Sequence, residues 1–384
     1  LRIKLGVFMI KQYKLRDYNF RLVLFLVVLT FMGVLLVGSA EPDLQKKQLM
    51  GMILGLVIMV IVSLMDFSWI LNFYWIMYFC NILMLLAVWF FGTESKGAAR
   101  WLRIGGFQFQ PTELSKIIII LFFARFFMEH EEDLNTLKTI LKSVVLIAIP
   151  LAMVFSQPDL KNTITVAILF CILLYLAGLS YKIIGGALLI AIPLVIVFLF
   201  IVIQPDQKLI NDYQRDRIMT FLYPEEEEYS DDVIQQQNSI MAIGSGKLTG
   251  KGLNNNEVAT ANKGNFVSES QTDFIFSVAG EELGFLGCTA IILLIFLIIY
   301  ECMRTGRRAK DLSGSLICYG MASLIAVQSF INICVATGLG PNTGTPLPFV
   351  SYGLSSMVSL YIGMGLVLNV SLQKNRTYRE VEKS

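Results

Sequence analysis

Long runs of Leu, Ile, Val and Phe, separated by short polar stretches, dominate the chain. Ten of them fall near 22–40, 49–66, 69–91, 112–128, 139–156, 163–180, 183–204, 272–302, 313–335 and 356–372. A bilayer core about 30 Å thick is crossed by about 20 apolar helical residues, so each run is a candidate span. Most lack the period-two alternation of a membrane β-barrel, which leaves a helical bundle as the way to satisfy the backbone in lipid. The expectation is an all-α polytopic membrane protein. It forms one integral domain over residues 1–384, with about ten transmembrane helices and a large extracytoplasmic loop, 205–271, between spans 7 and 8.

Composition strengthens this reading. The 384 residues are 55% hydrophobic and only 16% charged, with a mean hydropathy of +0.65, whereas a water-exposed surface normally demands about 25% charged residues. Soluble multidomain, disordered and nucleic-acid-binding classes are excluded. One histidine argues against a histidine-ligated metal site or a serine-histidine triad. The six cysteines, Cys80, Cys171, Cys288, Cys302, Cys318 and Cys334, lie in or beside apolar runs without short paired spacing and read as small buried hydrophobes.

The placement of charge supplies an orientation. The tail 1–21 carries six Lys/Arg; with Arg304, Arg307, Arg308, Lys310 and the tail residues Lys374, Arg376, Arg379 and Lys383, these segments hold fourteen of the 31 basic residues. The positive-inside rule then places both termini, 1–21 and 373–384, in the cytoplasm. Loops 92–111, 157–162, 205–271 and 336–355 fall outside. Gly38-Ser39-Ala40 resembles a cleavage site, but the apolar run before it exceeds the usual signal-peptide core of about 7–15 residues, so a first span is expected.

Polar groups at membrane depth are functional candidates because each costs at least about 2.5–3.5 kcal/mol to insert near the centre. Glu113 and Lys116 stand three apart on one helical face, as an anchoring ion pair or as substrate contacts. Arg100, Trp101 and Arg103 suit a lipid diphosphate, since guanidinium donates two parallel hydrogen bonds; interfacial anchoring explains them equally. Asp273 follows Thr272 where the long loop re-enters an apolar run, as a helix cap or as a carboxylate at a cavity mouth, with Glu269, Ser270, Gln271, Glu281 and Glu282 nearby. The glycines of AIGSGKLTGKGL (Ala242 to Leu253) suggest close backbone approaches or hinges. The acidic stretch from Tyr223 to Asp232 reads most simply as a solvated turn. The segment Gly338 to Ser356, with three prolines and no charge, can hardly be a regular helix. It is expected to wall a site, offering Ser351, Tyr352, Ser355 and Ser356.

Four segments together resemble one family. GAARWLRIGGFQFQPTELSK, SQPDLKNT (Ser156 to Thr163), AIGSGKLTGKGL with ESQTDFIFSVAGEELGFLG (Glu269 to Gly287), and TGTPLPFVSYGLSS look like the blocks of the SEDS family, named for shape, elongation, division and sporulation. The likeness runs through nearly the whole chain and leans toward the elongation member, RodA, over the division member, FtsW, on YQRDRIMTFLYP (Tyr213 to Pro224), Asp66 and the absence of an Asn before Gly97. It implies a ten-span peptidoglycan glycosyltransferase that polymerises lipid II on the outer face of the bacterial cytoplasmic membrane. Its partners would be a class B penicillin-binding protein and other membrane proteins of the elongation complex. The family's essential aspartate matches Asp273, its loop tryptophan Trp101, its QPSE pair Glu113 and Lys116, and the arginine of its YQ-to-RI block Arg217. Val267-Ser268-Glu269, Gln271 and Gly353-Leu354-Ser355-Ser356 depart from the family's LPE, His and GGSS.

The chemistry that follows needs one base and a cationic cradle. Asp273 would take the proton of the acceptor hydroxyl, and Lys116, Arg100 and Arg217 would neutralise the leaving diphosphate. No cofactor is certain; a divalent cation, magnesium or manganese, held by Asp273 or Glu269 would share that task. A laterally open groove would admit the isoprenoid tail. The rivals are a flippase for the same lipid-linked precursor and a non-catalytic scaffold of the cell-wall complex, and no internal repeat of the transporter kind is evident.

Overall fold

The computed structural model describes residues 17–95, 98–104, 107–157, 159–204, 210, 212–223, 230–254 and 267–373. The chain runs through α1 (Phe20–Ala40), α2 (Pro42–Leu64), a short α3 (Phe67–Leu71) and α4 (Tyr74–Phe91). A small sheet follows, β1 (Thr93–Ser95), β2 (Ala98–Ile104) and β3 (Phe107–Phe109). Then come α5 (Pro111–Glu129), α6 (Leu137–Ser156), α7 (Leu160–Leu176), α8 (Tyr181–Ile203), α9 (Asp212–Leu222), α10 (Ser230–Ser245), α11 (Ile275–Gly306), α12 (Leu312–Ala336) and α13 (Leu354–Leu372).

Short polar side chains start many of these helices by accepting from otherwise orphaned amides. Asn19 caps α1, Thr136 caps α6, Asp159 caps α7 and Asp311 caps α12. The run expected at 69–91 is broken: Asp66 accepts from the Ser68 amide at 2.9 Å and starts the five-residue α3 before α4 begins.

Among the described residues, α1, α2, α4, α6, α8, α11, α12 and α13 are long and apolar enough to cross a bilayer, so this is a multi-pass membrane fold. The remaining two expected spans are α7, apolar but only 17 residues long, and α5, which carries Glu113, Lys116, Arg125 and Glu129. Helix α5 tolerates its charges because protein surrounds it: Phe122, Phe123, Phe126 and Phe127 are all 0% exposed. Tyr78 of α4 stacks on Phe122 at 4.5 Å. At the other extreme α8 presents its surface almost all round, with Leu189, Ile190 and Phe200 among its exposed side chains, as a helix bathed in lipid can.

Two features depart from a plain bundle. The sheet is antiparallel in the order β1-β2-β3, with Thr93 opposite Trp101 and Leu102 opposite Phe109. Within the long stretch 205–271, α9 and α10 supply regular structure that its mixed polarity concealed; most of its acidic segment lies outside the described residues. Helix α11 is broken at Gly284, whose φ of 66° and ψ of −163° are closed to side-chain-bearing residues. The segment 246–252 seats against that break. Lys251 and Gly252 donate to the carbonyls of Glu281 and Glu282 at 2.9 and 3.0 Å, and Phe285 and Leu286 donate to those of Lys247 and Leu248 at 2.9 and 3.1 Å. A Cβ on Gly246 would lie 1.9 Å from the Gly280 carbonyl oxygen, and one on Gly250 2.1 Å from that of Glu282. The glycine-rich motif is therefore a close backbone approach.

Candidate active site

Asp273 lies in the turn that leads into α11 and is half-buried. It is not the helix cap, because α11 begins after Phe274 with no side-chain cap. What fixes it is its backbone. The Asn332 amide of α12 donates to the Asp273 carbonyl at 2.8 Å and to that of Thr345 at 2.8 Å. Ser351 Oγ donates to the Thr272 carbonyl at 2.6 Å while accepting from the Leu347 amide at 2.7 Å. The Tyr352 amide donates to the Gln271 carbonyl at 2.9 Å, and Gln48 of α2 donates to the Ser351 carbonyl at 3.0 Å. Among the described residues no group hydrogen-bonds the Asp273 carboxylate, so the turn is held from behind and its reactive end is left available.

The approach to this turn carries strain. Glu269 adopts a φ of +56°, a region that costs a non-glycine residue of order 1–3 kcal/mol unless surroundings enforce it. Enforcement comes from Thr272, whose amide and hydroxyl donate to the Glu269 carbonyl at 3.0 and 3.2 Å and whose hydroxyl also reaches the Glu269 carboxylate at 3.2 Å. This is the backbone path taken by the Val267-Ser268-Glu269 departure.

The segment 337–353 is non-helical and plunges into the bundle: Leu347, Phe349 and Val350 are at most 2% exposed. A Cβ on Gly33 of α1 would sit 2.7 Å from the Val350 Cα, so glycine there opens the space. Irregular backbone at membrane depth is thus enclosed by protein, as the bilayer requires.

Beyond the far end of this segment, Ser355 in the first turn of α13 donates to the Gln108 carbonyl at 3.0 Å and accepts from the Gln110 amide at 3.1 Å. Immediately behind lies a closed polar network. Lys116 Nζ donates to Glu113 at 2.8 Å and to Asn162 Oδ1 at 3.1 Å. Asn162 in turn donates to Asp159 at 2.8 Å and to Thr112 at 3.1 Å, and Gln110 donates to Asp159 at 3.2 Å. Lys116, Glu113 and Asp159 are 1%, 3% and 0% exposed. Buried charge is costly unless paired or hydrogen-bonded: Lys116 and Glu113 pair with each other, and Asp159 is held by the amides of Asn162 and Gln110. Lys116 is thus engaged as the anchoring alternative has it, bonding Glu113 and Asn162 and holding the starts of α5 and α7 together.

The remaining expected residues scatter around this centre. Trp101 is partly buried and Arg103 exposed on β2. Side chains alternate along a strand, so Trp101 and Arg103 share one face while Arg100 takes the other; the three do not converge as one patch. Arg217 lies on α9, and its side chain is outside the described residues. Missed by sequence reasoning were Asp159, Asn162 and Asn332, and also Lys161, which donates to the Gly344 carbonyl. The first, second and fourth sit in SQPDLKNT, a motif noted without roles. Two further buried carboxylates are engaged away from Asp273: Glu281 pairs with Lys251 at 2.7 Å, and one oxygen of Glu282 accepts from Ser39 at 2.6 Å. Among the described residues no group of three or more His, Cys, Asp or Glu gathers to hold a metal.

Comparison with known proteins gives this arrangement a context. The family model of the cell cycle proteins FtsW, RodA and SpoVE matches residues 17–376. The peptidoglycan glycosyltransferase MrdB of Escherichia coli K12 is 33% identical over 362 residues, covering 94% of this chain and 95% of that protein. A probable peptidoglycan glycosyltransferase FtsW of Trichlorobacter lovleyi is 31% identical over 377 residues, at coverages of 94% and 95%. Among solved structures, a chain from a peptidoglycan synthase complex that coordinates polymerization and crosslinking superposes with a TM-score of 0.76 at 25% identity, over 92% of this chain and 97% of that one. The rod-shape-determining protein RodA of Thermus thermophilus superposes with a TM-score of 0.68 at 24% identity, over 94% and 98%.

Proposed function

The chain belongs to the FtsW, RodA and SpoVE family of cell cycle proteins, and from that premise we propose that its peptidoglycan glycosyltransferase activity is centred on Asp273. The substrate is lipid II, polymerised at the outer face of a bacterial cytoplasmic membrane, with ten spans and both termini in the cytoplasm. The role is cell elongation, as in RodA. The observation that carries the assignment is the half-buried Asp273 carboxylate, without a hydrogen-bond partner among the described residues, on a turn whose backbone is pinned by Asn332, Ser351 and Tyr352.

In the reaction, the 4-hydroxyl of the acceptor sugar attacks the anomeric carbon of the donor. Asp273 accepts the hydroxyl proton, the new glycosidic bond forms, and the bond to undecaprenyl diphosphate breaks with its electrons on the leaving oxygen. Positioned general bases contribute about 10²–10⁴-fold to such steps. The diphosphate needs cations, and Arg100, Arg217 and Lys161 are suited to it; Lys161 makes one carbonyl bond, leaving donor capacity on its ammonium. Trp101 and Arg103 offer a second contact surface for lipid II on the sheet. Asp273 and Glu269 would be the residues to hold a magnesium or manganese ion, as hard oxygen donors, and such an ion would help neutralise the leaving diphosphate. The exposed flank of α8 supports a lateral entrance for the isoprenoid tail. A class B penicillin-binding protein would crosslink the product, the pairing of activities found in the complex that this fold resembles.

The test is polymerisation of purified lipid II by the purified chain in detergent, where no compartments exist. Glycan strands from wild type and none from Asp273→Ala support the assignment. Equal product from both overturns it, and no product from either returns the flippase and scaffold readings to first place.

A further inference from the structure

At the opposite end of the bundle from Asp273 is a cavity of about 330 Å³, lined by residues that include Asp17, Phe20, Arg21, Glu301, Arg304 and Arg308. From the break at Gly284 to Arg304, α11 runs 20 residues, about 30 Å at 1.5 Å per residue, which is the thickness of a bilayer core, and Asp273 lies on the other side of that break. The cavity therefore belongs to the other leaflet and takes no part in the reaction at Asp273.

Its charges are unevenly satisfied. Glu301, 4% exposed, is met by Arg304 at 3.2 Å and by the Asn19 amide at 3.0 Å. Among the described residues neither Arg21 nor Arg308 has an ion-pair partner, and both are exposed. Two uncommitted guanidinium groups, with Arg304, thus border a hollow that carries two carboxylates, Asp17 and the Glu301 already met by Arg304. Apolar tracks lead from the hollow into the bilayer. Phe20, Leu24, Val28 and Phe31 lie on one stripe of α1 at 61, 58, 40 and 51% exposure. Leu293, Phe296 and Tyr300 lead along α11 to Arg304 at helical spacing, and all are exposed.

We propose that this cavity binds the phosphate-bearing headgroup of an anionic phospholipid in the leaflet away from Asp273, with its acyl chains along the exposed stripes of α1 and α11. Planar guanidinium suits phosphate oxygens, and basic pockets between transmembrane helices are where acidic headgroups lodge. The apolar tracks select a lipid over a free phosphate.

The test is native mass spectrometry of the full chain in detergent, titrated with phosphatidylglycerol, phosphatidylcholine or glycerol phosphate. Wild type retains phosphatidylglycerol preferentially. Arg21→Gln and Arg308→Gln each weaken retention about fivefold, the double variant weakens it more than either, and the Arg21→Lys/Arg308→Lys chain recovers most of the preference. Arg307→Gln, an exposed neighbour outside the cavity lining, stays near wild type. An Arg307→Gln loss equal to that of Arg308→Gln would show diffuse surface charge and overturn the site. Glycerol phosphate binding as tightly as the lipid would overturn the lipid as occupant.

Discussion

Two clusters of charge border the same end of the bundle, and they are built oppositely. Around Glu113, Lys116 and Asp159 every charged group is buried and engaged, and the bonds run among side chains of α5, α7 and the residues just before each. At Asp273 the bonds run to the backbone, and the carboxylate itself is left out. A closed network spends its charges on one another and makes a rigid wall, whereas a pinned turn leaves its carboxylate available for the chemistry proposed for it. The contrast teaches that an ionisable group's partners, more than its presence at membrane depth, separate architecture from chemistry.

The largest effect should come from the free group. Asp273→Ala should lower polymerisation by about 10²–10⁴-fold with thermal unfolding in detergent unchanged, and a matching loss of stability would erase the distinction between the clusters. Next in size is the wall: Lys116→Met should destabilise by about 3–5 kcal/mol by leaving Glu113 without its cation, with much of the loss recovered in Lys116→Met/Glu113→Leu. Thermal unfolding of the single and double variants checks it. Asn332→Ala removes the amide behind Asp273 and should lower kcat by up to about a hundredfold through misplacement, with KM for lipid II nearly constant; a KM effect alone would place Asn332 in binding. Smallest is Arg103→Gln, exposed on β2, which should cost at most about 1 kcal/mol in apparent affinity, read as a modest rise in KM.

The same contrast explains what could be read along the chain. Spans, the irregular segment before α13 and the glycine-rich approach were legible because lipid and close backbone packing impose strong local rules. The sheet at 93–109 was hidden: its strands are short, and the Gly105-Gly106 pair joining β2 to β3 reads as a loop between spans. The break between α3 and α4 was hidden too, because only the Asp66 cap marks it inside an apolar run. Glu113 and Lys116 drew attention three residues apart, but their closure by Asn162 spans 46 residues of sequence and is a tertiary fact. Asn332, an amide in an apolar helix, carried a signal that went unused: a buried amide at membrane depth needs partners, and its partner is the turn that holds Asp273.

The most direct trial of the account replaces only the proton acceptor. Asp273→Asn preserves shape and backbone anchors, so the account predicts a chain with wild-type thermal stability and undiminished lipid II binding that forms no glycan strands. Strand formation at the wild-type rate by that variant would contradict it.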